Sequence, residues 1–229
     1  MDKNIYNINL ENLSFNVNEI FYSIQGEGTL AGLPCVFIRL QGCELRCSWC
    51  DTPYALEIKS EQIRMNGKEI AERIDEYKCK LVLFTGGEPL NQQNVTTLMD
   101  HLIGCGYSVT LETNGHLDIS KVNPLVKKVM DLKCPSSGMD SFNKFENFQY
   151  LTNIDELKCV IADREDYEFA KKIIEKFEIV PKVESVLFSP VFGKIEPREI
   201  VQWILEDGLQ VRFQLQLHKL IWDPDTRGV

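Results

Sequence analysis

The chain has 229 residues, 44% of them hydrophobic and 26% charged, the balance of an ordinary globular protein with room for one domain or two small ones. A net charge of −9 argues against nonspecific nucleic-acid binding, which needs a basic face to neutralise phosphates, but leaves room for an anionic small molecule held by a few placed cations. No apolar run approaches the ~20 residues that span a bilayer, and the polar, Asn-rich start MDKNIYNINLENLSFNVNE lacks the order of a secretory signal, so a cytoplasmic protein without a membrane partner is expected.

No repeat, low-complexity tract or Pro/Gly/Ser linker divides the chain, which favours a single domain over 1–229. VFIRLQG (36–42) reads as a strand and runs into a cysteine loop at 43–50. Asn66 with Glu69 resembles a capping box and opens a helix to about Tyr77, with Ile70 and Ile74 on one face. LVLF (81–84) has the length of a buried strand and ends in TGGEP. Val95, Leu98, Met99, Leu102 and Ile103 recur at helical spacing, and SVTLETNG (108–115) reads as strand and turn. VMDLKCP (129–135) and LKCVIA (157–162) are further strands. Tyr167, Ala170, Ile174 and Phe177 mark the inner stripe of another helix, with Glu168 and Lys172 paired on its outside. SVLFSPVF (185–192) reads as a strand, Pro197–Glu206 as a helix and VRFQLQLHKLIW (211–222) as a final strand.

Apolar strands separated by helices imply parallel β/α units with both sheet faces covered. About six such units fit the length, whereas a full eightfold barrel takes ~250 residues, so the expected fold is α/β, an open partial (β/α)6 TIM-like barrel. Chemistry in such folds gathers at the C-terminal edge of the strands, where the cysteine loop, TGGEP, ETNG and KCPSS all fall.

Of eight cysteines, Cys35, Cys79, Cys105 and Cys159 stand singly among apolar neighbours and read as small buried hydrophobes. Cys43, Cys47 and Cys50 are clustered as C-x3-C-x2-C. Three thiolates suit three irons of a [4Fe–4S] cluster with one iron left open. Zinc competes, but it needs a fourth donor, and His101, His116 and His218 are all remote in sequence.

C-x3-C-x2-C with the aromatic Trp49 before its last Cys is the signature of radical S-adenosylmethionine (SAM) enzymes, and TGGEP resembles that family's glycine-pair motif. QGEG before the cluster, Asp51 and Thr52 after it, ETNG and the ending QLHKLIWDPDTRGV together resemble the 7-carboxy-7-deazaguanine synthase family from about Glu19 onward. That resemblance implies SAM chelating the open iron and reductive release of a 5′-deoxyadenosyl radical. It implies 6-carboxy-5,6,7,8-tetrahydropterin as substrate, 7-carboxy-7-deazaguanine as product with loss of ammonia, and a Mg²⁺ requirement. A flavodoxin- or ferredoxin-type reductant and a homodimer are the expected partners.

Residue by residue, the resemblance places Ile24, Gln25, Gly26, Thr85 and the carboxylate of Val229 against the pterin. Arg39, on the strand before the cluster, suits bidentate capture of the substrate carboxylate, and His218 is a second catalytic candidate. Trp49, Cys50, Asp51, Gly87, Glu112, Lys133, Pro135, Ser136, Ser189, Pro190 and Val191 correspond to the SAM site, with Asn114 a further polar partner for SAM or pterin. Thr52 matches the Mg²⁺ ligand. Another radical SAM activity, such as a glycyl-radical-enzyme activase, and a non-catalytic zinc module are the competing readings.

Overall fold

The computed structural model describes residues 9–58, 63–224 and 226–229. Among these residues nine strands form one open sheet: β1 (Ser14–Ile24), β2 (Pro34–Leu40), β3 (Ile63–Asn66), β4 (Leu81–Gly86), β5 (Ser108–Thr113), β6 (Lys127–Leu132), β7 (Glu156–Ile161), β8 (Ser185–Pro190) and β9 (Arg212–Phe213), in the order β3-β1-β2-β4-β5-β6-β7-β8-β9. From β2 to β9 every pairing is parallel. β1 and β3 extend the β2 edge antiparallel. These two strands were not expected, although Phe15 and Val17 alternate with polar residues and are both buried.

The crossovers are built by α1 (Gly67–Asp75), α2 (Val95–Gly104), α3 (Arg164–Lys176) and α4 (Pro197–Asp207). The capping box at α1 forms as read: Asn66 Oδ1 accepts from Glu69 N and Glu69 Oε2 accepts from Asn66 N. The crossovers β5–β6 and β6–β7 contain no α-helix. Asn147, fully buried, holds the first together by donating to Gly115 O and Leu117 O and accepting from Ile119 N. Phe145, Phe148 and Phe177, in mutual ring contact, cover the same region with apolar area in place of a helix.

The parity of each strand decides where its side chains go. Val36, Ile38, Leu40, Val82, Phe84, Val109, Leu111, Met130, Leu132, Leu157, Cys159, Val186 and Phe188 face the helices and form the core with Ile70, Leu98, Tyr167 and Ile200. The opposite parity faces the barrel interior: a small apolar patch of Phe21, Cys35, Phe37 and Leu83 at its base, and polar residues toward the C-terminal edge.

The expected final strand over 211–222 is corrected. Only Arg212 and Phe213 pair with β8, and α5 (His218–Ile221) follows, so His218 opens a helical turn. The chain leaves the sheet because the last ladder bond, Gln214 N to Phe188 O, gives way to Leu217 N donating to Gly26 O. Cys105 is also corrected: it is exposed one turn beyond His101 at the end of α2, with Sγ 3.5 Å from His101 Nε2. No helix among the described residues is long and apolar enough to cross a membrane.

Candidate active site

Cys43, Cys47 and Cys50 lie half-buried on the loop after β2, none in a disulfide. The loop is tied down at both ends. Gly42 N and Cys43 N donate to Ala55 O and Leu56 O, and Cys50 N donates to Cys47 O. Its crown leans on the segment after β6, with Ser48 N donating to Ser137 O and Ser48 Oγ to Ser136 O. Arg46 Nη1 donates to Cys43 O at 2.7 Å. Burial pushes the Cys43 and Cys47 thiols up; Lys133 opposes it at Cys47. Among the described residues no three His, Cys, Asp or Glu side chains converge as around a single ion. Three unpaired soft donors spread over one loop fit an iron–sulfur cluster.

The TGGEP turn is wedged under this loop. An added Cβ at Gly86, whose φ is +134°, would sit 2.1 Å from Leu40 O, and one at Gly87 would sit 2.2 Å from Gly42 O. The glycine pair is therefore demanded by the packing of protein on protein, as well as open to a ligand. Glu88 is fully buried and accepts from Leu90 N, Thr113 Oγ1 and Asn114 N. Burial pushes its carboxyl upward against those donors. Thr52 Oγ1 donates to Gly86 O at 3.3 Å and lies 3.9 Å from Cys50 Sγ, which leaves its lone pairs free to face a cation.

The KCPSS segment is anchored from two sides. Asn143 clamps the Lys133 backbone, accepting from its N–H and donating to its carbonyl. Asp166, buried at the start of α3, accepts from Ser136 N and Ala162 N, and Asp163 accepts from Ser136 Oγ. Pro135 and Ser136 are thus held at the mouth beside Trp49, whose ring carries Lys194 5.2 Å above it. Val191 continues the rim by donating its N–H to Ile161 O, and Pro190 ends β8.

Six adjacent parallel strands each contribute one inward polar residue near the edge: Arg39, Thr85, Glu112, Asp131, Lys158 and Ser189. Thr85 Oγ1 donates to Glu112 Oε2 at 2.9 Å. Lys158 bridges Glu27 at 3.1 Å and Asp131 at 3.4 Å, and Lys133 reaches Asp131 at 2.6 Å. Burial and the neighbouring Glu27 and Asp131 push Glu112 up to about 7, against Lys158 and the Thr85 hydrogen bond. Burial opposes the charges on Glu27, Asp131, Lys133 and Lys158, but their mutual attraction outweighs it: both carboxyls move down and both ammoniums up.

The loop after β1 closes the interior from the other side. Gln25 is buried rather than solvated, its N–H donating to Leu33 O and its Oε1 accepting from Glu27 N. Ile24, the last residue of β1, pairs with Pro34. Gly26 packs on His218 so closely that a Cβ there would meet Nδ1 at 2.3 Å, so the two predicted residues do meet. Burial pushes His218 down, with Glu27 opposing. Ser189 Oγ accepts from Gln214 Nε2 at 3.0 Å, and Gln214 Oε1 accepts from Gly28 N at 2.6 Å. Gln216 Nε2 lies 2.9 Å from Glu27 Oε1 and 3.4 Å from Asp51 Oδ2. Arg39 spends its Nε on Glu19 at 2.8 Å, between the Phe21 and Tyr54 rings. Arg227 stacks over Tyr54 and donates to Asn18 Oδ1, which returns the Val229 end to the Glu19–Arg39 pair.

Sequence reading missed Glu19, Glu27, Asp131, Lys158, Gln214 and Gln216. A signal for two of them was present. Asp131 in Met-Asp-Leu and Lys158 in Leu-Lys-Cys repeat the apolar-polar-apolar pattern of Arg39 in Ile-Arg-Leu near the strand ends.

A partial barrel with a three-cysteine loop and a glycine turn at its C-terminal edge is the architecture of a radical SAM protein. A sequence model of the Radical SAM superfamily matches residues 37–204. The chain is 40% identical over 227 residues to a 7-carboxy-7-deazaguanine synthase of Koribacter versatilis, covering 93% of this chain and 99% of that one. It is 45% identical over 217 residues to the synthase of Chlorobaculum tepidum, covering 93% and 97%. The crystal structure of QueE from Escherichia coli superposes with a TM-score of 0.73 at 22% identity over 95% of this chain and 99% of that one, a likeness of fold. The chain belongs to the 7-carboxy-7-deazaguanine synthase family of radical SAM enzymes. Membership of that superfamily implies a [4Fe–4S] cluster and SAM as cofactors.

Proposed function

We propose that the protein converts 6-carboxy-5,6,7,8-tetrahydropterin to 7-carboxy-7-deazaguanine with release of ammonia, a step of 7-deazapurine (queuosine) biosynthesis. The observation that carries this reading is the convergence on one barrel mouth of the Cys43–Cys47–Cys50 loop and the inward row from Arg39 to Ser189, in a chain whose relatives carry that name.

Cys43, Cys47 and Cys50 would hold the cluster, which when bound supplies the electron that releases a 5′-deoxyadenosyl radical from SAM. The rim formed by Trp49, Asp51, Gly87, Glu112, Lys133, Pro135, Ser136, Ser189, Pro190 and Val191 binds SAM. Asp166 and Asp163 keep that rim in register with the cluster loop.

Arg39 uses its Nη groups on the substrate carboxylate, its Nε being fixed by Glu19. Gln25, Gly26, Thr85 and Val229 surround the pterin, and His218, backed by Gly26, faces it. Thr52 supplies one hard oxygen to Mg²⁺, the substrate and waters completing the shell. The QGEG loop shuts the interior from the opposite side and keeps water from a radical intermediate. The chain acts as one domain and a homodimer, in the cytoplasm, reduced by a flavodoxin- or ferredoxin-type donor.

The test is anaerobic incubation of reconstituted protein with SAM, reductant, Mg²⁺ and the carboxytetrahydropterin. Formation of a carboxydeazaguanine with one equivalent of ammonia is expected. A brown, cluster-loaded protein that cleaves SAM yet leaves the pterin unchanged would overturn the substrate assignment.

A further inference from the structure

Asn114, a polar candidate for SAM or the pterin, has its side-chain amide beside the cluster loop. Nδ2 lies 3.6 Å from Cys43 Sγ, and Asn114 is only 8% exposed. The amide cannot be turned round. Its Oδ1 accepts from His116 N at 3.1 Å, and a backbone N–H there requires an oxygen, so the NH2 end must face the sulfur. The His116 ring adds a second clamp, with Nδ1 2.6 Å from Oδ1 and Nε2 3.0 Å from Glu44 Oε2. From below, Glu88 Oε2 takes the Asn114 backbone N–H at 2.7 Å, while Oε1 takes Thr113 Oγ1 and Leu90 N at 3.0 Å each.

We propose that Asn114 sets the reduction potential of the cluster through an N–H donated to the Cys43 sulfur, with Glu88, His116 and Glu44 as positioning residues for that amide. The inference rests on Cys43 being a cluster ligand. A donor aimed at a ligand sulfur withdraws negative charge from it. The reduced cluster carries one more electron than the oxidised one, so the same hydrogen bond favours the reduced form more and raises the potential. The three ligands differ in this respect. Cys43 receives the amide and the Leu45 backbone N–H, Cys47 faces the Lys133 charge, and Cys50 has Thr52 Oγ1 at 3.9 Å. Three fixed contacts, two donors to Oδ1 and one acceptor for the backbone N–H, are more than a turn requires. They are what a donor needs if its N–H···S geometry is to survive thermal motion.

The experiment is an anaerobic redox titration of reconstituted protein with dithionite, read by the EPR signal of the reduced cluster, without SAM or pterin. At the wild-type midpoint, Asn114→Ala is expected to lower the ratio of reduced to oxidised cluster by about three- to tenfold, the part of one charge-assisted hydrogen bond by which it favours the reduced form over the oxidised. Asn114→Asp, which sets a negative charge beside the sulfur, shifts further the same way. His116→Ala removes the ring clamp but keeps the amide and the backbone N–H that orients it, and gives a smaller shift of the same sign. If Asn114→Ala fails to load iron, His116→Ala decides alone. Variants that load a cluster and titrate at the wild-type midpoint overturn this inference and leave the proposed reaction standing. A wild-type protein that takes up no cluster overturns both.

Discussion

Replacing Gly86 by Ala separates two reasons for the glycine pair. If the pair served only to admit SAM, the ligand-free protein would tolerate a methyl group. The geometry forbids it. The new Cβ would lie 2.1 Å from Leu40 O, 2.5 Å from Leu40 N and 2.8 Å from Leu40 C, where contacts of about 3.5 Å are normal. All three obstacles are backbone of a central strand, so relief requires a shift of roughly 1 Å between β2 and the turn. That shift stretches Gly87 N to Leu40 O and Glu88 N to Gly42 O, each contributing about 1 kcal/mol. Holding a non-glycine residue at φ +134° adds about 1–3 kcal/mol. The sum, about 3–5 kcal/mol, is a large share of the ~5–15 kcal/mol that stabilises a typical domain. Gly208→Ala is the control, since Gly208 also has positive φ but its Cβ meets nothing within 4 Å, so strain alone costs about 1 kcal/mol. Urea melts of cluster-free protein under argon compare the two. A Gly86→Ala protein no less stable than Gly208→Ala would refute the packing argument.

Two further outcomes are expected. Glu112, pushed up to about 7 in the fold against about 4.3 unfolded, holds its proton better in the native state. Its contribution is fully present below pH 4 and is lost as pH rises through 7, a loss on the order of 3–4 kcal/mol. Glu112→Gln should therefore flatten the stability curve between pH 5 and 8, and a slope equal to wild type in urea melts would count against it. Asp166→Ala strands the N–H groups of Ser136 and Ala162, costing about 3 kcal/mol in all. Because Ser136 and Ser137 carry Ser48 of the cluster loop, the variant should also raise KM for SAM more than KM for the pterin; a loss of stability with both constants unchanged would break the proposed link.

Much of this protein is written locally. The capping box at Asn66 and Glu69, the apolar stripe of α2 and the short apolar runs of β4 to β8 depend on neighbours a few residues away, and each formed within two or three residues of its reading. The three cysteines and the TGGEP turn are likewise contiguous, so their chemistry needs no fold to be recognised. The edge of the sheet was less legible. β1 pairs with residues about ten to twenty-three positions on and β3 with β1 across the cysteine loop, and neither strand has an apolar run to announce it.

Tertiary structure alone decided the partners. Glu27 meets Lys158 across 131 positions, Gly26 meets His218, and the Arg227 tail returns to Glu19, because the sheet folds distant strand ends onto one mouth. The same closure buries carboxylates beside ammoniums, which moves their protonation in ways no local spacing encodes. It also set Asn114 Nδ2 beside Cys43 Sγ, 71 positions away in the chain. The residue types at the site come from the sequence. Which atom each one faces was settled by the packing of backbones that only the whole sheet brings together.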